Sequence, residues 1–328
     1  MQFLVIGCGS IGCRHIRNLI SIGMKNILAY DTDIQRLKAV KKEFDVITSN
    51  KLEELLDKKP KAAFICTPTS LHLQHALIAA ENDCHIFIEK PICNSLKGID
   101  KVANLCKKKN LVVLIGYSFR FEKNLKSIRE SVHNGDIGKI LFARASFGFY
   151  LPSWRPNKDY RRVYSSQKKF GGGVILDQVH ELDYMSWIMG NVKSVFCTSR
   201  KMSSLKMDAE DLAEMVVEFK SGAVGEIHLD CFRPLYERSC EFIGEDGIGF
   251  WSFQNKVAKI YQAKKKKWYL LGDSSKNDSD MYVNEIKHFI NCILGKEDPF
   301  VSFDEGRKSL NIALAAKKSS ELKKVILL

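Results

Sequence analysis

The chain has 328 residues, 45 % hydrophobic and 27 % charged, with 51 Lys and Arg against 38 Asp and Glu and a formal net charge of +13. This is the composition of a globular protein long enough for two domains; no apolar run approaches the ~18 residues of a membrane span, and no basic leader precedes the first apolar stretch, so a cytoplasmic protein is expected. The excess charge is diffuse lysine, as in Lys107-Lys108-Lys109 and Lys264-Lys265-Lys266-Lys267, without a helix-turn-helix, zinc-finger or RNA-binding pattern; neither nucleic acid nor membrane is an expected partner, and an anionic cofactor or substrate accounts for part of the charge.

Short, nearly continuous apolar runs at Phe3–Ile6, Ile27–Tyr30, Ala62–Cys66, Ile86–Ile88 and Val112–Ile115 predict strands buried on both faces. Amphipathic stretches between them, among them Leu71–Ala80 and Ile99–Cys106, predict helices. The β-α-β-α order predicts a Rossmann-type doubly wound parallel sheet over residues 1–118. After Arg120 the pattern changes. Apolar and polar residues alternate in Gly225–Asp230, and similar strands are expected at Leu141–Phe147, Val195–Thr198, Met215–Phe219, Glu241–Ile243 and Ile260–Tyr261. Helices are expected at Asp177–Met189, Tyr282–Leu294 and Asp304–Lys317. Residues 119–328 therefore read as an α+β domain with a mostly antiparallel open sheet. Pro152–Gly173 reads as a long, polar, Arg-rich loop. The ten cysteines form no C-x-x-C pair, so they are expected as free thiols in a reducing compartment, with no zinc site.

Gly7-Cys8-Gly9-Ser10-Ile11-Gly12 follows the first strand and opens a helix. In that setting Gly7 permits a tight turn, Gly9 lets a pyrophosphate approach the backbone, and Gly12 lets helix and strand pack closely. The helix N-terminus, at Ser10 and Ile11, offers free N–H groups to the phosphates. Asp31, nineteen residues past Gly12 at the end of the second strand, is placed to hold the adenosine ribose hydroxyls. NAD is therefore the expected cofactor rather than NADP; Arg36 is the one cation nearby in sequence. Thr67-Pro68 sits beyond the next strand, where the ligand crevice of such a sheet lies. His72 and His75 share a helix, but no third ligand accompanies them, so no metal is expected.

The glycine fingerprint, Thr67-Pro68 and Glu89-Lys90-Pro91 together resemble the glucose-fructose oxidoreductase / inositol dehydrogenase / MocA family over essentially the whole chain. Gly116-Tyr117, Arg120-Phe121, Gly171-Gly172-Gly173 running into Asp177 and His180, Gly244-Glu245-Asp246-Gly247 and Asn284–Phe289 extend the resemblance. It implies a nicotinamide-dependent dehydrogenase acting on a sugar, cyclitol or nucleotide sugar. It implies a catalytic Lys90, with a cis peptide commonly preceding the proline. It adds His72, Glu89 and Lys90 to the cofactor contacts and implies a homodimer or homotetramer. An ammonium at Lys90 can stabilise charge on a hydroxyl oxygen as hydride leaves its carbon. His180 is suited to take the hydroxyl proton, and Asp177, three residues earlier on the same expected helix, would orient it or bind another hydroxyl. The chain departs from the commonest family pattern in that spacing: the family's aspartate stands four residues before the histidine, where this chain has Leu176. Asp183 is the alternative partner. The short spacing and Tyr160-Arg161-Arg162 look like a branch associated with bacterial surface-sugar biosynthesis. Expected substrate contacts are Lys90, Tyr117, Arg120, Tyr160, Arg161, Asp177 and His180. The basic loop, with Arg155, Lys158, Arg161 and Arg162 beside Trp154 and Tyr160, suggests a substrate with a negative group. Two alternatives stay open: an NAD-retaining glycosidase of the same fold, and a non-catalytic NAD-binding sensor.

Overall fold

The structure is a computed structural model that describes residues 1–154, 156, 158–272 and 280–328. It divides into two compact units, Met1–Ser118 with Ser279–Arg307, and Phe119–Asp278 with Lys308–Leu328.

The first unit alternates β1 (Phe3–Ile6), α1 (Ser10–Ser21), β2 (Ile27–Tyr30), α2 (Ile34–Phe44), β3 (Ile47–Ser49), α3 (Leu52–Leu56), β4 (Ala62–Ile65), α4 (His72–Glu81), β5 (His85–Glu89), α5 (Ile99–Lys108) and β6 (Val113–Gly116). The six strands lie in the order β3-β2-β1-β4-β5-β6, and every pair is parallel. Parallel strands have helices on both faces, which is why β1, β4, β5 and β6 are buried at every position. The strand order reverses between β1 and β4, so the carboxyl ends of these two strands flank the crevice in which such sheets bind their ligands.

In the second unit α6 (Lys123–His133) precedes β7 (Ile140–Gly148). The basic loop follows and contains four short 3-10 turns between Leu151 and Phe170. Next come α7 (Val174–Asp177), α8 (His180–Met189), β8 (Val192–Arg200), β9 (Leu212–Phe219), β10 (Val224–Asp230), β11 (Glu237–Gly244), β12 (Gly247–Ser252), β13 (Val257–Gln262) and β14 (Lys267–Leu270). With β15 (Ile326–Leu327) these strands form a nine-stranded sheet in the order β14-β13-β12-β11-β7-β10-β9-β8-β15. Only β10 with β7 is parallel; the other seven pairs are antiparallel. Alternate residues are buried along β9 and β11, the mark of a sheet with one wet face. The two sheets give the expected fold class.

Several features differ from the sequence expectation. The helix expected over Asp177–Met189 is two helices, because Gln178 takes φ −103°, ψ 38° and ends α7. The alternation did not predict β12, which is interrupted by Gly247 and Gly249, or the four-residue β14. Residues 119–328 are not one continuous unit: α9 (Met281–Ile293) packs on α1 in the first unit. There Phe289 sets its ring edge-on to the stacked Phe64 and Phe87, at 5.6 and 5.8 Å, and Val301 O accepts from Ile115 N of β6 at 2.9 Å. The last helix, α10, spans Phe303–Leu322. Among the described residues no helix is long and apolar enough to cross a membrane. All ten cysteines are thiols rather than disulfide-bonded, and nine of them are buried.

Candidate active site

The loop from β1 to α1 is built on two glycines. Gly7 has φ +98°, and a Cβ there would meet Cys66 O at 2.7 Å; a Cβ on Gly12 would lie 1.9 Å from Gly7 O. Neither position tolerates a side chain. Gly9 differs in kind: a Cβ would meet nothing within 4 Å, so the backbone faces open space where α1 begins. Among the described residues no side chain caps α1 and no acid stands in its first turn. An uncapped, positively polarised helix end beside open backbone, at Ser10 and Ile11, fits an anionic pyrophosphate.

Asp31 ends β2 and is 6 % exposed. Its Oδ2 accepts from Cys8 N at 2.8 Å, and its Oδ1 accepts from Asp33 N at 2.9 Å. The carboxylate is thus fastened to the glycine loop itself. Arg36 Nη1 reaches Oδ2 at 3.5 Å, so the nearby cation is already turned to this acid. Burial, with the Asp31 charge second, pushes the Cys8 thiol up to about 12 and keeps it protonated.

Thr67 and Pro68 follow β4. Thr67 Oγ1 stands 3.3 Å from His75 Nδ1. The His72 ring lies between two backbone carbonyls, with Nδ1 2.8 Å from Pro91 O and Nε2 2.8 Å from Thr67 O. It is buried, and burial lowers its pKa from the usual imidazole range. Both ring nitrogens therefore face the chain's own backbone. His72 thus lies between the loop after β4 and the one after β5.

Lys90 is half-buried at the end of β5, and the Lys90-Pro91 peptide is cis. Glu89 beside it is buried; one carboxylate oxygen lies 2.7 Å from His15 Nε2, and the other accepts from Lys90 N at 3.3 Å. His15 has no exposed surface and sits among Phe64, Phe87 and Tyr282. Burial, then the Glu89 charge, pushes the Tyr282 phenol up to about 12, while Arg14 stacks on its ring at 4.5 Å. Sequence reasoning missed His15. Its signal was a histidine on the buried stripe of α1, with Gly12, Ile16 and Leu19, where a polar ring needs a partner. Tyr117 is fully buried just past β6.

In the second unit Gly173, at φ +104° and with Glu210 2.5 Å from where a Cβ would stand, turns the chain into α7. Asp177 ends α7 and His180 begins α8; both are buried. The break between them removes the helical i, i+3 relation expected of this pair. Asp177 Oδ1 accepts from Tyr164 OH at 2.5 Å. The His180 ring packs edge-on to Phe119 at 5.0 Å. Tyr164, absent from the expected set, lies in the basic loop four residues after Tyr160. Tyr160 OH instead accepts from Lys206 N at 3.0 Å.

Arg120 and Arg161 each face a carboxylate. Arg120, 2 % exposed, donates through Nε and Nη2 to the two oxygens of Asp183 at 2.9 and 2.8 Å, and Ser309 Oγ donates to Asp183 at 2.8 Å. A buried, two-pronged pair of this kind ties Arg120 and Asp183 to each other. Arg161 is exposed and paired with Asp159, whose carboxyl it holds down to about 2. Arg162 is also exposed, and Arg155 lies outside the described residues.

Residues 1–117 match the family model described as "Oxidoreductase family, NAD-binding Rossmann fold", and residues 125–248 match the model of the GFO/IDH/MocA C-terminal domain. Myo-inositol 2-dehydrogenase of Thermotoga maritima is 31 % identical, covering 99 % of this chain and 98 % of its own. The scyllo-inositol 2-dehydrogenase (NAD(+)) of Bacillus subtilis is 26 % identical over 96 % of this chain and 92 % of its own. Among solved structures, a probable dehydrogenase from Thermotoga maritima superposes with a TM-score of 0.81 at 29 % identity, covering 100 % of this chain and 99 % of that one.

Proposed function

Because the chain belongs to the GFO/IDH/MocA family of oxidoreductases with an NAD-binding Rossmann fold, we propose that it reversibly oxidises a secondary hydroxyl of a cyclitol or sugar with NAD. The observation that carries this reading is the end-to-end likeness to two inositol dehydrogenases. When bound, the dinucleotide supplies the hydride acceptor. Gly9, Ser10, Ile11 and the α1 N-terminus hold its pyrophosphate, and Asp31 takes the ribose hydroxyls in preference to a 2′-phosphate. Lys90 donates a hydrogen bond to the substrate oxygen and stabilises the charge that develops there. His180 accepts the hydroxyl proton, and Asp177, oriented by Tyr164, fixes the sugar or the ring. We assign residues 1–118, together with the returning α9, to NAD binding, and the rest of 119–328 to substrate binding and oligomerisation as a cytoplasmic homodimer or homotetramer.

The engagement of Arg120 by Asp183 and of Arg161 by Asp159 favours a neutral substrate over an anionic one, so a nucleotide sugar of surface-sugar biosynthesis is the second choice. The test is NADH formation across myo-inositol, scyllo-inositol, neutral glucosides, uronates and nucleotide sugars, at low and high salt. A neutral cyclitol or sugar with the best kcat/KM and no salt effect supports the reading. A salt-sensitive optimum on a nucleotide sugar replaces it with the second choice. Tightly held NAD with bond cleavage but no net NADH would mean the glycosidase.

A further inference from the structure

Asp177 and His180 are separated only by Gln178 and Val179, and the side chain that grips both flanks of His180 comes from β11. Arg238 Nε donates to Glu181 Oε1 at 2.7 Å, and Arg238 Nη2 donates to Gln178 Oε1 at 2.7 Å. The guanidinium carbon lies 4.3 Å from the centre of the Phe119 ring and 4.5 Å from that of Phe147. Phe119 in turn sets its ring at 70° to the His180 imidazole. Arg238 is 5 % exposed and Glu181 0 %, so neither charge serves solubility. A rigid planar fork with one acceptor on each side of a residue fixes orientation as well as distance.

We propose that Arg238 and Glu181 form a positioning pair that sets where the His180 imidazole stands relative to Asp177. This rests on the reading of His180 as the proton acceptor. Glu181 follows His180 directly in α8, and Arg238 stacks on the Phe119 ring that packs against the imidazole, so the pair sets opposed charges near His180. The other ionisable groups around the pair are engaged or neutral: Asp177 is held by Tyr164, Asp183 by Arg120 and Glu122 by Trp251, while burial keeps Tyr184, Tyr236 and Cys240 protonated. Removing the guanidinium leaves the Glu181 carboxylate in dry surroundings, which favours the imidazolium. Removing the carboxylate charge leaves the guanidinium, which disfavours it.

The experiment follows the His180 ring by NMR in the full chain, its resonance identified among eight histidines by its loss in His180→Asn. Glu181→Gln is expected to lower the titration midpoint of His180 and Arg238→Gln to raise it, each by about 0.5 pH unit or more. The acid limb of NAD-dependent myo-inositol oxidation should move the same way. Arg238→Lys keeps the cation but cannot hold both acceptors. It should lower kcat about tenfold with NADH binding unchanged, and it serves if Arg238→Gln does not fold. Midpoints that stay in place or move together, or an Arg238→Lys enzyme with wild-type kcat, overturn the proposal. The NMR arm decides alone if myo-inositol is not turned over. An acid limb that survives His180→Asn strikes down the base assignment instead, and the ring titrations still report whether the pair acts on His180.

Discussion

Asp31 Oδ2 accepts a hydrogen bond from the Cys8 amide at 2.8 Å, which ties the acid at the end of β2 to the glycine loop that begins α1. A 2′-phosphate brought to this point would meet a carboxylate already oriented by two backbone amides. Asp31→Ser should therefore weaken NADH binding and improve NADPH binding relative to it, the ratio moving by about tenfold or more, ~1.4 kcal/mol. Fluorescence titration of both reduced cofactors measures the ratio; an unchanged ratio removes Asp31 from cofactor choice.

Lys90→Met should lower kcat/KM by roughly 10²–10³-fold, the usual loss for one preorganised donor at a developing charge. NADH affinity should stay near that of the wild type, since the ammonium is assigned to the substrate oxygen. Steady-state kinetics beside a binding titration separate the two effects.

Tyr164→Phe should lower kcat by about 10-fold, because a hydrogen bond to a charged group contributes ~1.5–3 kcal/mol and only part of that bears on the reaction. Asp177→Asn should lower activity at least as much while the protein stays folded. Asp183→Asn should act chiefly on stability. It leaves the Arg120 guanidinium buried without its counter-charge, which costs about 3–5 kcal/mol. Melting curves and kcat measured on the same three variants test the division; an inactive but fully stable Asp183→Asn would reverse the roles of the two aspartates.

His228 joins Glu214 and Asp230 on the sheet of the second unit, with Nε2 2.9 Å from Asp230 Oδ2. The bond to Asp230 is the main cause that raises its pKa to about 9, with Glu214 adding to it. A folded-state pKa above the unfolded value of about 6.5 means that the folded protein binds this proton more tightly. The stabilisation is then fully present below about pH 6.5 and disappears as pH rises through about 9. His228→Gln should cost about 1–2 kcal/mol at pH 6, after allowance for solvent screening at this partly exposed site, and close to nothing at pH 10. Thermal melts at both values check the sign; an equal loss at both would show that packing, not charge, is what the substitution removes.

Much of the first unit is legible in sequence because its strands are buried on both faces and appear as unbroken apolar runs; β3, three residues long and partly exposed at an edge, carries no such run. The glycine loop and Asp31 are legible for the same local reason: the turn, the helix start and the acid lie within one β-α-β stretch. The rest depends on contacts distant in sequence. Arg120 looks like a ligand arginine until Asp183, 63 positions away, takes its guanidinium. The short spacing from Asp177 to His180 looks like a single helix face until Gln178 leaves helical geometry and Arg238, 60 positions on, takes its side chain. His72 resembles a cofactor contact in sequence, and only the fold shows carbonyls at both of its nitrogens.

The return of α9 to the first unit has a consequence for synthesis on the ribosome. When residue 118 has emerged, the six strands of the Rossmann sheet exist, but Phe64 and Phe87 lack the Phe289 ring that packs on them, and Ile115 N lacks Val301 O. At about 5–20 residues per second that apolar face waits roughly 10–35 seconds for α9 to be made. Over that interval this apolar face stands uncovered, so a fragment cut at 118 should self-associate where the full chain does not.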